Sequence, residues 1–229
     1  MEIDPHLTCW TIVCAASAGD AAARSVFVGS YSGPVRAYLV SRWRGHALQA
    51  DIDDAVQEAF FECLKANGAL ESADPRRGDF RGLLYGVVRN VARRFEERLA
   101  KDIQRRPKQS VYLDELPHQA DALSLVFDRA WAQSILREAV SRHEAEAKRG
   151  DPDALRRFHV LQFRHDQGLP IRKIAEQLSE PDVAKIHNDY RRARREFAVH
   201  LRVVTARHTG ARGTDVDTEC RKLNSLLSQ

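Results

Sequence analysis

The chain has 229 residues, 43% of them hydrophobic, and its 36 Lys and Arg against 32 Asp and Glu give a formal net charge of +4. That size suits one large domain or two small ones, and 12 Gly with 8 Pro are too few breaks for an all-β protein, so two helical domains are expected. No run reaches the roughly 18 apolar residues of a spanning helix, and the opening MEIDPHLTCW carries acids where a secretory signal needs a basic flank, which points to a cytoplasmic protein.

In chain order, residues 8–18 read as a short apolar helix stopped near Gly19, and Asp20 suits the cap of a second helix reaching Tyr31. Gly33-Pro34 reads as a break before a third helix, Val35 to Trp43, and the polar stretch to Ala50 as a loop. Asp51 then caps a strongly periodic segment in which Ile52, Ala55, Val56, Ala59, Phe60, Cys63 and Leu64 recur at helical spacing up to Gly68. Its other face carries Asp54, Gln57, Glu58 and Phe61, an acidic, amidic and aromatic stripe on which a partner helix could dock.

After a loop containing Asp74-Pro75-Arg76-Arg77-Gly78, the pattern resumes as a helix from Phe80 to Arg98, with Phe80, Leu83, Leu84, Val87, Val88, Val91 and Phe95 inward. Its outer face is Arg81, Tyr85, Arg89 and Arg93. Arginine interleaved with tyrosine suits single-stranded nucleic acid, with cations on phosphates and a ring stacked on a base. A solvated helix whose tyrosine covers a neighbour is the other reading. Residues 101–122, with Pro107 and Pro117 and no period, read as an interdomain linker. Helices follow from Leu123 to Arg149 and from Pro152 to Gln167. The polar tail 206–229 is expected to be mobile, with at most a helical turn at Leu223 to Leu227. The expected domains are thus 1–100 and 123–205.

Within the second, Ile171 to Leu178 and the segment from Val183 to Val204 read as two helices joined by Ser179-Glu180-Pro181-Asp182, the layout of a helix-turn-helix. Val183, Ile186, Tyr190, Ala193, Phe197, Leu201 and Val204 fall on one stripe, and Ala184, Lys185, Asn188, Arg191, Arg192 and Arg195 fall opposite. Asn188 suits a base edge and the arginines suit phosphates; a register shift of one residue would pass the base-reading role to Lys185 or Asp189. Basic residues concentrate between Arg76 and Arg106 and between Arg156 and Arg212, which favours nucleic acid over a membrane as partner. Cys9, Cys14, Cys63 and Cys220 lack ligand or disulfide spacing, so no metal or other cofactor is expected.

These segments together resemble the small bacterial RNA polymerase sigma factors of the extracytoplasmic-function type. Trp10 to Gly45 is similar to that family's opening helices, and DIDDAVQEAFFECL is similar to its D-x-x-Q-E-x-F polymerase-docking helix. RGDFRGLLYGVVRNVARRFEER resembles the promoter-melting helix, with Leu83 where the family usually has tryptophan, and Leu169 to Leu201 resembles its fourth region. The resemblance implies that Asp54, Gln57, Glu58 and Phe61 dock on the clamp helices of the largest subunit of core RNA polymerase. It gives Arg77, Arg81, Tyr85, Arg89, Asn90, Arg93 and the loop 67–79 to the −10 element, where a non-template base is flipped out and held. It gives Lys185, Asn188, Arg191, Arg192 and Arg195 to the −35 element. Promoter DNA and, as a regulator, an anti-sigma factor are the further implied partners, and no covalent chemistry is implied. The competing readings are a stand-alone helix-turn-helix regulator, a partner-sequestering adaptor that binds no DNA, and a helical hydrolase with Asp53, Asp54, Glu58 and Glu62 as cation ligands.

Overall fold

The computed structural model describes residues 9–71, 73, 80–105, 120–211 and 213–228, and the regular structure among them is all helical, as expected. The chain divides into two compact units, Met1–Ser134 with Arg207–Gln229, and Ile135–Ala206.

The first unit is built on helix α2, Ala21–Arg42, against which α1 (Cys9–Ser17), α3 (Ile52–Leu64) and α4 (Phe80–Arg105) pack. Phe27, Tyr31, Val35, Tyr38, Leu39 and Trp43 of α2 are buried with Ala55, Ala59 and Phe60 of α3 and with Phe80, Leu84, Val88 and Val91 of α4. Phe27 stands edge-on to both Phe60 and Phe80, with ring centroids 5.7 Å apart in each pair, a geometry that aligns ring edge with ring face. Each such ring contributes about 1.5–3 kcal/mol on burial, so α2 is the axis that fixes α3 and α4. Asp20 caps it by accepting from the Ala23 amide at 2.7 Å.

Three local expectations are corrected here. α2 runs through Gly33-Pro34 without a break. Proline removes one amide and restricts the residue before it; Gly33 has no Cβ to clash, and Pro34 is buried beside Tyr31, Val35 and Tyr38, so tertiary packing outweighs the lost bond. The stretch before α3 is a 3-10 helix, Ala47–Asp51, capped by His46 accepting from the Leu48 amide at 3.2 Å, and Asp51 makes no side-chain cap. At the other end of α3 a Cβ on Gly68 would lie 2.6 Å from the Lys65 carbonyl oxygen, so only glycine fits that turn.

The first unit also takes in the opening residues of α5 (Ala120–Arg149) and the end of α8 (Val183–Thr209). The tail, read from sequence as mobile, carries α9 (Asp215–Leu227), whose Val216 and Leu223 are buried. Their seven-residue spacing is a helical face that a polar, Gly-flanked context hides. The units therefore divide inside α5 and α8, away from the linker expected at 101–122, of which residues 106–119 lie outside the described residues.

The second unit holds the rest of α5 with α6 (Pro152–His165), α7 (Ile171–Gln177) and most of α8. Val160, Ile174, Ala175 and Ile186 form its centre, ringed by Phe163, Leu169, Ile171, Leu178, Val183 and Tyr190. Asp151 caps α6 through the Ala154 amide at 2.6 Å, and Asp182 caps α8 through that of Ala184 at 2.9 Å. Between α7 and α8, Ser179 sits at φ 52°, a left-handed conformation that reverses the chain tightly.

Candidate functional site

On α3 the periodicity buries one stripe and leaves the other out. Asp54 and Gln57 are exposed, and Phe61 is 61% exposed. An aromatic ring so far in water beside an acid and an amide fits a docking surface. Glu58, half-buried, lies 3.5 Å from the Arg94 guanidinium of α4. Of the carboxylates read as candidate cation ligands, Asp53 pairs with Arg36, and Glu62 with Lys65 at 2.8 Å and Arg94 at 3.2 Å. Those hydrogen bonds, that from Lys65 foremost, hold the Glu62 carboxyl below its usual range. Among the described residues no group of three or more metal-binding side chains occurs. Burial pushes the Cys63 thiol up to about 12, which keeps it protonated and unreactive.

Along α4 the structure separates the sequence-predicted residues. Arg89, Asn90 and Arg93 are exposed, Arg93 with Glu97 at 3.7 Å. Tyr85 is half-buried, edge-on to Tyr38 and to Phe127 at centroid distances of 5.6 and 5.5 Å, and Arg81 pairs with Asp128. Tyr85 thus covers its neighbours in this state. Arg77 and most of the loop before α4 lie outside the described residues. Where the turn after α3 meets α4 there is a cleft of about 510 Å³, lined among others by Asn67, Gly68, Asn90, Arg93 and Arg94. Amides and guanidinium groups around a cavity of that size offer donors for a planar, acceptor-rich group.

Behind these faces is a contact that sequence reasoning missed. Arg42 Nε and Nη2 donate to the two Glu96 carboxylate oxygens at 2.6 and 2.8 Å, the buried Trp43 indole donates to Oε1 at 2.9 Å, and Arg42 Nη1 donates to the Tyr38 hydroxyl at 3.1 Å. This clasp pins α4 to α2 and so sets the direction of the exposed α4 face. The pairing with Glu96 raises the Arg42 pKa above its ordinary value. No periodicity signals it, because the partners lie on separate helices.

In the second unit, Asn188, Arg191, Arg192 and Arg195 are exposed along α8, and Lys185 pairs with Glu180 at 2.8 Å. Hydrogen bonding from Lys185 holds the Glu180 carboxyl below its usual range. Asp189 is buried and paired with Arg156 at 3.0 Å, so it faces away from the basic stripe and is no reader of bases. Arg156 also reaches Glu180 at 3.3 Å and Asp153 at 3.4 Å, tying α6, the turn and α8 together. His143 and His200 stack at 5.0 Å, both buried.

Residues 27–101 fit the family described as Sigma-70 region 2. The matched span runs from within α2 to within α4 and includes the α3 stripe, the cleft and the Glu96 clasp. The likeness to that domain of sigma-70 factors covers 75 of the 229 residues. No curated protein and no solved structure matches the chain. No described helix is long and apolar enough to cross a membrane.

Proposed function

We propose that the chain is a transcription initiation factor of the extracytoplasmic-function type, which binds core RNA polymerase, recognises the −10 and −35 promoter elements and promotes DNA melting. The observation that carries this reading is the exposed Asp54, Gln57 and Phe61 stripe of α3 inside the segment that matches Sigma-70 region 2. In this reading the stripe docks on the clamp helices of the largest polymerase subunit. Arg89, Asn90 and Arg93, with Arg81 and Tyr85, meet the −10 element, and the cleft beside Asn67 and Gly68 takes an unstacked base. Helices α7 and α8 form a helix-turn-helix in which Asn188 reads a base edge at the −35 element and Arg191, Arg192 and Arg195 hold phosphates, with Lys185 at its N-terminal end. An anti-sigma factor covering either surface is the regulatory partner this class of factor calls for.

The test adds the full chain to core polymerase on genomic DNA and sequences transcript 5′ ends. A shared sequence upstream of the new start sites, absent with core polymerase alone, is the expected outcome. Transcription starts without any common upstream element would overturn the reading.

A further inference from the structure

The Sigma-70 region 2 match ends at residue 101, yet in the first unit two later segments cover side chains from the matched part. The opening of α5 supplies Asp128, which pairs with Arg81, and Phe127, whose ring stands against Tyr85 at 5.5 Å. One turn on, Trp131 stacks on Tyr31 of α2 with centroids 4.9 Å apart and planes 15° from parallel. His208, at the end of α8, stands edge-on to Tyr31 at 5.6 Å and to Trp131 at 6.2 Å, and its Nδ1 lies 3.1 Å from the Tyr31 hydroxyl. Gly210, at φ 71°, then turns the chain past Trp10, and α9 buries Val216 and Leu223. A cavity of about 410 Å³ between Arg81, Asp128, Trp131, His208, Lys222 and Leu223 places α9 beside the same arginine.

We propose that residues 120–134 and 207–227 form an autoinhibitory latch over the α4 face: the α5 segment occupies Arg81 and Tyr85, and His208 with α9 holds Trp131 so that the segment stays down. The inference rests on the reading of Arg81 and Tyr85 as −10 contacts. A phosphate and the Asp128 carboxylate compete for one guanidinium, and a base and the Phe127 ring compete for the space beside one tyrosine, so DNA engages only as the latch lifts. The occupied groups hold one another by a half-exposed ion pair and ring contacts, which are weak enough to be exchanged.

The test uses the full chain carrying Asp128→Asn, which keeps shape and removes the charge, or Tyr31→Phe, which removes only the hydroxyl bonded to His208. Hydrogen exchange at 120–134 and 215–227 reads the latch. Fluorescence anisotropy of a labelled single-stranded DNA of mixed sequence reads access to α4. Both variants are expected to speed exchange in both segments and to tighten DNA binding about fivefold, the upper end for release of a half-exposed ion pair, with Arg81→Ala cancelling the gain. Unchanged exchange in both variants, or faster exchange without tighter binding, overturns the latch. A gain in Asp128→Asn without one in Tyr31→Phe reduces to loss of a negative charge and also overturns it. If Arg81→Ala and Tyr85→Ala leave DNA binding unchanged in every background, the −10 reading itself fails.

Discussion

Replacing Glu96 by Ala tests whether one carboxylate orients the α4 face. Glu96 accepts three hydrogen bonds, two from Arg42 and one from the Trp43 indole. The Arg42 and Glu96 side chains are 19% and 17% exposed, so water reaches the pair but does not solvate it freely. Breaking a fully buried pair costs about 3–5 kcal/mol; halving that for partial access, and adding about 1–2 kcal/mol for an indole donor left unpaired in the core, gives about 2.5–4.5 kcal/mol. Glu96→Gln keeps an acceptor for the indole and loses the charge, at about half that cost. Urea unfolding followed by tryptophan fluorescence isolates the effect, because Trp10, Trp43 and Trp131 all belong to the first unit. A loss under about 1 kcal/mol for Glu96→Ala would show that α4 is held by its apolar face alone.

Reversing the charge of Asp54 and Glu58 is expected to abolish pull-down by core polymerase with the circular dichroism spectrum unchanged; retained binding would make the acidic stripe an ordinary solvated face. Replacing Arg191, Arg192 or Arg195 by Ala should lower duplex affinity and flatten its salt dependence by about one unit of slope per phosphate contact. Asn188→Ala should shift base preference more than affinity, read by selection from a randomised duplex pool. Burial depresses the His143 and His200 pKa values below the unfolded 6.5, aided for His200 by the facing His143 and Arg142 and for His143 by Arg157, against Glu146 and Glu196. The unfolded chain then takes up protons that the native unit refuses, so stability is full above about pH 6.5 and falls as pH drops below it. Amide exchange of α6 and α8 should accelerate on acidification in that window, and slower exchange would contradict the assignment.

The helical faces of α3 and, in part, α8 were legible because each is set by a period within one segment: Ile52, Ala55, Val56, Ala59, Phe60 and Cys63 bury as their spacing requires, as do Ile186, Ala193 and Val204. Pro34 misled because its local cost was visible and its burial was not. Glu96, Arg156 and Asp128 act across elements 54, 33 and 47 residues from Arg42, Asp189 and Arg81, and nothing in a local pattern announces such pairs. The same reasoning explains Asp189, which looks like one more polar residue on α8 until Arg156 is seen beneath it. For α9, two buried residues in a polar stretch were too sparse a signal.

Asp189 also sorts the polar positions of α8 into two kinds. It is buried and supplies the closest of the three carboxylates on Arg156, so changing it loosens that hub, whereas Asn188, Arg191, Arg192 and Arg195 are exposed. Exchanges at those four cost the fold little, about 0.5 kcal/mol or less each. The target preference of such a helix can therefore drift or be re-engineered position by position while its scaffold stays fixed, and a library randomised there should yield mostly folded proteins.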